Sequence, residues 1–380
     1  MKLKFPVFSR NKNSFDIPLL ITVILLGIFG SIMVFSAGYA YAEARYGDNL
    51  YFIKRQSIWL IIGFVAMYVM SKTDTQFLKK LSLPLYLITI ALLLLVLVFG
   101  FVGNGARRWI SIGPITIQPS EIAKLSIILI LALYFSKNES KAIYTKKQGE
   151  IFIKGTIIPL VLMCVPILLV MLQKHLSCII ILGLIGLCMI TLSGTDLRYL
   201  KYFCLLGLSG VLSLALFTDY TKMRILVWRN PEEYKLTGGW QTLQGLMAIG
   251  SGGIFGVGLG NSVMKHCYVS EPANDMIFAI LCEELGLVGA FLTLMTFVLL
   301  ISRGFVIALK SDDRFSRLLA FGISAKLAIQ VLLNVAVVTN TIPNTGISLP
   351  FFSYGGSSLI MLFGEMGILL SISKNAKLIK

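Results

Sequence analysis

Apolar runs long enough to cross a bilayer recur from one end of this chain to the other, and they decide what it can fold into. Ten are discernible: residues 17–37, 56–71, 81–102, 119–136, 155–173, 176–194, 202–218, 276–302, 317–340 and 356–373. Each is rich in Leu, Ile, Val and Phe without alternation at a period of two, so the runs predict helices and not the strands of a membrane barrel. Hydrophobic residues make up 56% of the 380 and charged ones 14%. That leaves too little polar surface for a soluble domain. No linker or shift in composition divides the chain, so residues 1–380 are expected to form one all-α, polytopic membrane domain.

The formal net charge of +16 would also suit a nucleic-acid-binding protein, but its placement argues otherwise. With a cytoplasmic N-terminus, 21 of the 34 Lys and Arg fall in cytoplasmic segments and 11 in outward ones. That bias puts both termini in the cytoplasm, and basic loops on an anionic membrane face account for the charge without nucleic acid. Residues 1–16 are basic and polar, and the first run lacks a small-x-small cleavage site, so it is expected to stay as the first span. Five of the six cysteines lie in spans, which argues against a disulfide framework or a cysteine metal site. His175 and His266 are not spaced as a metal pair and read as satisfied or exposed imidazoles.

Three outward segments are patterned: 103–121, the long loop 219–275 between spans seven and eight, and 341–355. Residues 222–234 mix basic, aliphatic and aromatic positions, as a helix in the headgroup layer would. The glycine-rich run Gly250–Gly260 permits irregular backbone, which at membrane depth must line a cavity or be buried in protein. Its spacing does not fit a dinucleotide site.

The polar residues near these loops carry the candidate chemistry. Glu121 and Lys124, three apart after Pro119, share a helix face. They are either a packing ion pair or one in which Lys124 also serves an anion site. Arg107 and Arg108, beside Trp109, suit interfacial anchoring or the neutralisation of a diphosphate, and Arg55 with Lys54 extends the same basic rim. Ser353, Ser357 and Ser358 lie in a Gly- and Pro-broken stretch, Pro343–Ser358, that either binds a polar headgroup or turns back on itself. Lys326, Asn334 and Glu365 are polar residues within spans, expected to face the bundle interior. Glu271 and Asp275 close the long loop. At the start of a helix Asp275 is explained as a cap or as a general base. Two turns deeper, at least one of Glu283 and Glu284 must find a partner inside the bundle.

Together these motifs resemble the SEDS family, the polytopic bacterial proteins typified by RodA, FtsW and SpoVE. Asn104-Gly-Ala-Arg-Arg-Trp-Ile110, Gln118-Pro-Ser-Glu-Ile-Ala-Lys124, Ser251–Gly260, Asp275-Met-Ile-Phe-Ala279 with Glu283-Glu-Leu-Gly286, and Pro343–Ser358 stand in the family's order. The first and third look closer to the FtsW/SpoVE branch. The resemblance implies a ten-helix glycosyltransferase that polymerises lipid II into peptidoglycan at the outer face of the cytoplasmic membrane, in cell division or sporulation. It implies a class B penicillin-binding transpeptidase as partner, with divisome or sporulation proteins. It assigns Asp275 the essential aspartate and Glu121 with Lys124 the paired Glu and Lys. Charge on a departing diphosphate would be offset by cationic side chains or by a divalent cation, Mg or Mn. The family's usual Leu-Pro-Glu reads Val269-Ser270-Glu271 here, its Asp-Phe-Ile-Phe reads Asp275-Met276-Ile277-Phe278, and its Gln-Pro-Asp-Leu-Gly reads Gln173-Lys174-His175-Leu176-Ser177. A flippase for the lipid-linked precursor and a non-catalytic division scaffold are the competing classes. Patterned loops on one face and the absence of obvious inverted repeats argue against the flippase.

Overall fold

The first helix shows how the sequence sets the limits of an element. The Asp16 carboxylate accepts the Leu19 N–H at 3.0 Å, Pro18 occupies the first turn, and Gly47 ends the helix with φ at 66°. Asp16 is fully buried and also pairs with Arg303 at 2.5 Å, which ties the start of this helix to a distant one. The structure, a computed structural model, describes residues 15–103, 106–113, 115–138, 153–193, 201, 207, 219–236 and 238–376.

The helices are α1 (Ile17–Tyr46), α2 (Tyr51–Lys72), α3 (Thr75–Phe99) and α4 (Pro119–Lys137), then a π-helical turn, Ile153–Ile157, that runs into α5 (Ile158–Leu172). They continue as α6 (Leu176–Leu192), α7 (Asp219–Arg229), α8 (Gly239–Ser251), α9 (Ile277–Lys310), α10 (Arg314–Val338) and α11 (Gly356–Asn375). Among the described residues eight segments are long and apolar enough to cross a membrane: α1 to α4, Ile153–Leu172, α9, α10 and α11. Helix α6 is apolar but shorter. The expected span 202–218 lies outside the described residues, as do Asn104 and Gly105. The chain is thus a helical, multi-pass membrane protein.

One stretch departs from the helix-and-loop expectation. The third span ends at Phe99 and not at 102. Residues beyond it form three short antiparallel strands, β1 (Phe101–Gly103), β2 (Ala106–Ile112) and β3 (Ile115–Ile117), in the order β1-β2-β3. Ile110, Ile112, Ile115, Thr116 and Ile117 are β-branched, and Gly113 turns the chain at φ 62°.

Helix α4 is the hub, packed against α3, α6 and α10 and largely buried. Helix α2 packs most extensively on α11 and leaves Ile58, Ile61, Val65 and Tyr68 exposed, an apolar face suited to lipid. Lipid gives no hydrophobic drive for helices to associate, so close steric fit sets the contacts. Gly63 of α2, for example, lies against the Phe363 ring of α11, where an added Cβ would come within 2.7 Å.

Helix α9 is broken at Gly286, where φ is 65° and ψ −166°. The glycine-rich turn after α8 fills the break. Val257 N and Gly258 N donate to the carbonyls of Glu283 and Glu284 at 3.0 and 2.9 Å, and Leu287 N and Val288 N donate to Gly253 O and Ile254 O at 2.9 and 3.1 Å. The backbone groups freed by the break are therefore satisfied in protein, although Phe255 and Ile254 expose their side chains. Both glutamates beside the break are partnered. Glu283 accepts from Ser262 Oγ at 2.5 Å and Val263 N at 2.8 Å. Glu284 pairs with Lys265 at 2.9 Å and accepts from Ser36 Oγ of α1 at 2.6 Å.

An added Cβ at Gly286 would lie 2.3 Å from Gly256 N, on backbone that cannot yield, and in a conformation L-residues rarely adopt. Gly286→Ala is therefore expected to cost about 3 kcal/mol or more. It should appear as a lowered melting temperature of the detergent-solubilised protein, whereas an unchanged one would contradict this account of the break.

Candidate active site

At the end of the bundle where α1 finishes and α2 begins, a cleft of about 1290 Å³ opens between the helices and the loops above them. Its walls bring together Arg55 and Trp59 of α2, Arg108 of β2, Glu121 and Lys124 of α4, and His175 and Ser177 at the α5–α6 junction. Arg224 of α7, the 270–275 loop with Glu271 and Asp275, and the 344–358 segment with Ser353, Ser357 and Ser358 complete it. Four cations (Arg55, Arg108, Lys124, Arg224) face three carboxylates (Glu121, Glu271, Asp275) there. Ile58, Ile62 and Ile181 give one flank an apolar character.

Asp275 does not cap α9. The cap position is Met276, no side chain bonds there, and the helix begins at Ile277. The Asp275 carboxylate, half-buried, makes no hydrogen bond or ion pair among the described residues, and it faces Gly346, where an added Cβ would lie 3.0 Å from Oδ2. Burial first, and then the negative charge of Glu271, raise its pKa from 3.8 to about 6, against the pull of Arg224 and Arg108. A cap would have lowered it. The backbone around it is held from three sides. Asn334 Nδ2 of α10 donates to Asp275 O at 3.2 Å and to Ile347 O at 2.6 Å. Tyr354 N donates to Ala273 O at 2.8 Å, and Ser353 Oγ donates to Asn274 O at 2.8 Å while accepting Leu349 N at 2.7 Å. Ser353 is thus engaged by backbone. Ser358 Oγ bonds Gly355 O at 3.3 Å, and Ser357 lines the cleft.

Glu121 and Lys124 form a buried ion pair at 2.6 Å. A second one, Lys326–Glu365 at 2.6 Å, lies in the interior between α10 and α11. Glu121 and Lys326 border the same small cavity, of about 20 Å³. The two tandem arginines part company. Arg107 is not among the residues lining the cleft; its guanidinium donates to Leu97 O and Val98 O at 3.2 and 3.4 Å, which fits anchoring. Arg108 lines the cleft, with Nη2 donating to Lys174 O at 2.6 Å. Arg55 stacks over the Tyr51 ring at 4.3 Å. Glu271, at φ 53°, accepts from Asn274 Nδ2 at 3.1 Å.

Two residues enter the site that sequence reading placed elsewhere. Helix α7, read as a headgroup-layer helix, docks on the 340–345 loop: Trp228 Nε1 donates to Asn340 O at 2.9 Å and Arg224 donates to Asn344 O. The amphipathic pattern was the available signal, but it does not say what the apolar face covers. His175 lies in the cleft wall, its Nδ1 3.4 Å from Ser120 Oγ. Ser177 Oγ donates to Thr345 O, which joins this junction to the loop beside Asp275. No group of three or more His, Cys, Asp or Glu side chains placed to hold a metal occurs among the described residues. Glu271 and Asp275 both line the cleft, but two carboxylates do not make up such a group.

The profile of the family described as "Cell cycle protein", covering FtsW, RodA and SpoVE, matches residues 17–378. Stage V sporulation protein E of Bacillus subtilis is 40% identical over 97% of this chain and 100% of its own length. A probable peptidoglycan glycosyltransferase FtsW of Geobacter metallireducens is 36% identical over 99% of each. Among solved structures, a chain of a peptidoglycan synthase complex that coordinates polymerization and crosslinking superposes with a TM-score of 0.79 at 26% identity, covering 95% of this chain and 98% of that one. Thermus thermophilus rod shape determining protein RodA superposes at 0.70 and 27%, covering 97% and 99%.

The raised pKa of Asp275 has a stability consequence. Below the ordinary pKa of 3.8 the carboxyl is protonated folded and unfolded, and it costs nothing. As pH rises towards about 6 the unfolded chain ionises first, so stability is lost across that window and stays lost above it. Asp275→Asn is therefore expected to raise the melting temperature at pH 8, by up to about 3 kcal/mol in stability, with no gain below pH 4. Thermal unfolding of the two proteins across pH checks this; a variant less stable than the parent at pH 8 would contradict it.

Proposed function

The chain belongs to the FtsW, RodA and SpoVE family of cell cycle proteins, and from that membership and the cleft we propose how it works as a peptidoglycan glycosyltransferase. The observation that carries the reading is a partnerless carboxylate of raised pKa facing a cleft with four cations. Lipid II combines a disaccharide-pentapeptide, a diphosphate and a polyprenyl tail. The polar cleft suits the first two, and its apolar flank suits the start of the third.

The 4-hydroxyl of the acceptor sugar attacks the anomeric carbon of the donor strand. The new glycosidic bond forms as the carbon–diphosphate bond breaks. Asp275 takes the hydroxyl proton, and a carboxyl near pH 6 is ionised at neutral pH yet more basic than an ordinary aspartate. The negative charge leaving with the diphosphate is met by Arg108, Lys124 and Arg55, which line the cleft. A single displacement inverts the anomeric carbon. Arg107 has no part in this step.

The cleft end of the bundle faces outward from the cytoplasmic membrane in this reading, consistent with the bias of Lys and Arg towards the other end. A class B penicillin-binding transpeptidase is the proposed partner, supported by the likeness to a synthase complex that couples polymerization to crosslinking. Division or sporulation is the proposed setting, since the relatives include a stage V sporulation protein and FtsW.

Incubation of the purified protein and its transpeptidase with labelled lipid II separates the competing classes. Glycan chains mean a polymerase, translocation without chains a flippase, and neither a scaffold. Asp275→Asn is expected to abolish chain formation while the protein remains folded in the membrane, and glycan synthesis by the stable variant would refute the base assignment. For the parent, kcat/KM should fall tenfold per pH unit below an inflection near pH 6.

A further inference from the structure

His175 lines the cleft, and nothing above gives it a task. Its ring sits where α5 passes into α6, and Nδ1 lies 3.4 Å from Ser120 Oγ. Ser120 is buried, and its hydroxyl lies between His175 Nδ1 and the Cys178 thiol. With the Ser120 hydroxyl donating to Nδ1, the neutral ring carries its own proton on Nε2, towards the cleft. Nε2 has no protein partner among the described residues, and it belongs to a side chain that lines the cleft.

Two cations, Arg108 and Lys124, act on its ring electrostatically. Arg108 donates to the carbonyl of Lys174, the preceding residue. Glu121, which follows Ser120 in the chain, holds Lys124. We propose that His175 is a substrate-binding residue that donates a hydrogen bond from neutral imidazole Nε2–H to a diphosphate oxygen of the polyprenyl-linked substrate, between Arg108 and Lys124. The inference rests on the polymerase reading and names one more contact in the same site.

Electrostatics supports the neutral form. Burial, followed by the charges of Arg108 and Lys124 and only partly opposed by Glu121, lowers the His175 pKa from 6.5 to about 3. A protonated ring there would repel the two arms that hold the same anion. A neutral N–H adds a donor without adding that repulsion. A diphosphate, with several acceptor oxygens and no donor at neutral pH, matches a donor-only contact. A sugar hydroxyl or amide does not need the flanking cations.

The test uses the full chain with its transpeptidase, and long-chain polyprenyl diphosphate as the binding probe beside lipid II turnover. His175→Ala is expected to weaken diphosphate binding about ten- to a hundredfold and to raise KM for lipid II similarly, with kcat changed by less than about threefold. His175→Gln places an amide N–H near the Nε2 position and should recover binding to within about threefold, whereas His175→Asn, whose amide reaches only to Nδ1, should not. Recovery by Gln alone supports the proposal even if the Ala variant is less stable. Diphosphate binding unchanged in the Ala variant, equal behaviour of Gln and Asn, or a loss confined to kcat would each overturn it. Failure of the parent to make glycan would instead fall on the polymerase reading, and the probe-binding comparison would still decide the role of His175.

Discussion

In hydrocarbon a polar group cannot turn to water, so each buried charge and each freed backbone group in this chain has to be answered by protein. The break in α9 shows the consequence most fully. Gly286 interrupts the helix, and the glycine-rich turn answers with four backbone hydrogen bonds. Glu283 and Glu284, at the break, bind the segment that follows that turn through Ser262, Val263 and Lys265. This segment leads directly into the 270–275 loop. The position of Asp275 is therefore fixed from below by a membrane-embedded polar cluster and from above by Asn334, Ser353 and Tyr354.

That double support explains how one carboxylate stays without a partner when its neighbours all have one. A mobile aspartate near Arg108 and Arg224 would fold onto a guanidinium and lose basicity. Held by its backbone, Asp275 feels both arginines through space without bonding to either, and burial and Glu271 prevail. The cations then line the cleft without pairing to Asp275.

Most of the spans and most of the residues lining the cleft were legible in the sequence, because apolar length and isolated polar residues are strong signals in a membrane protein. Arg107 and Arg108 were not separable, since adjacent residues of one type carry no hint of direction. The structure supplies it. β1 advances one residue, from Phe101 to Val102, while β2 goes from Trp109 to Arg107, so Arg108 is the unpaired residue of a bulge. A bulge re-aims the side chain it carries. Asp275 as a cap was a fair reading of local sequence, but capping depends on a one-residue difference in where the helix begins, which apolar pattern does not resolve. Arg224 and His175 were missed because their roles come from loops and helices far along the chain.

The two ion pairs in the interior are best understood together. A buried lysine tied to a single carboxylate cannot turn towards an incoming anion without stranding that carboxylate, and an uncompensated buried charge is costly, by about 3–5 kcal/mol. Glu121 avoids this because Lys326 borders the same small cavity and its positive charge also acts on Glu121. Lys326 in turn is held by both oxygens of Glu365, at 2.6 and 2.7 Å. Four charges on α4, α10 and α11 thus share their compensation, which lowers the cost of parting Lys124 from Glu121 below that of an isolated pair. A packing role and an anion-binding role for Glu121–Lys124 are then physically compatible, with Lys326–Glu365 as the supporting pair.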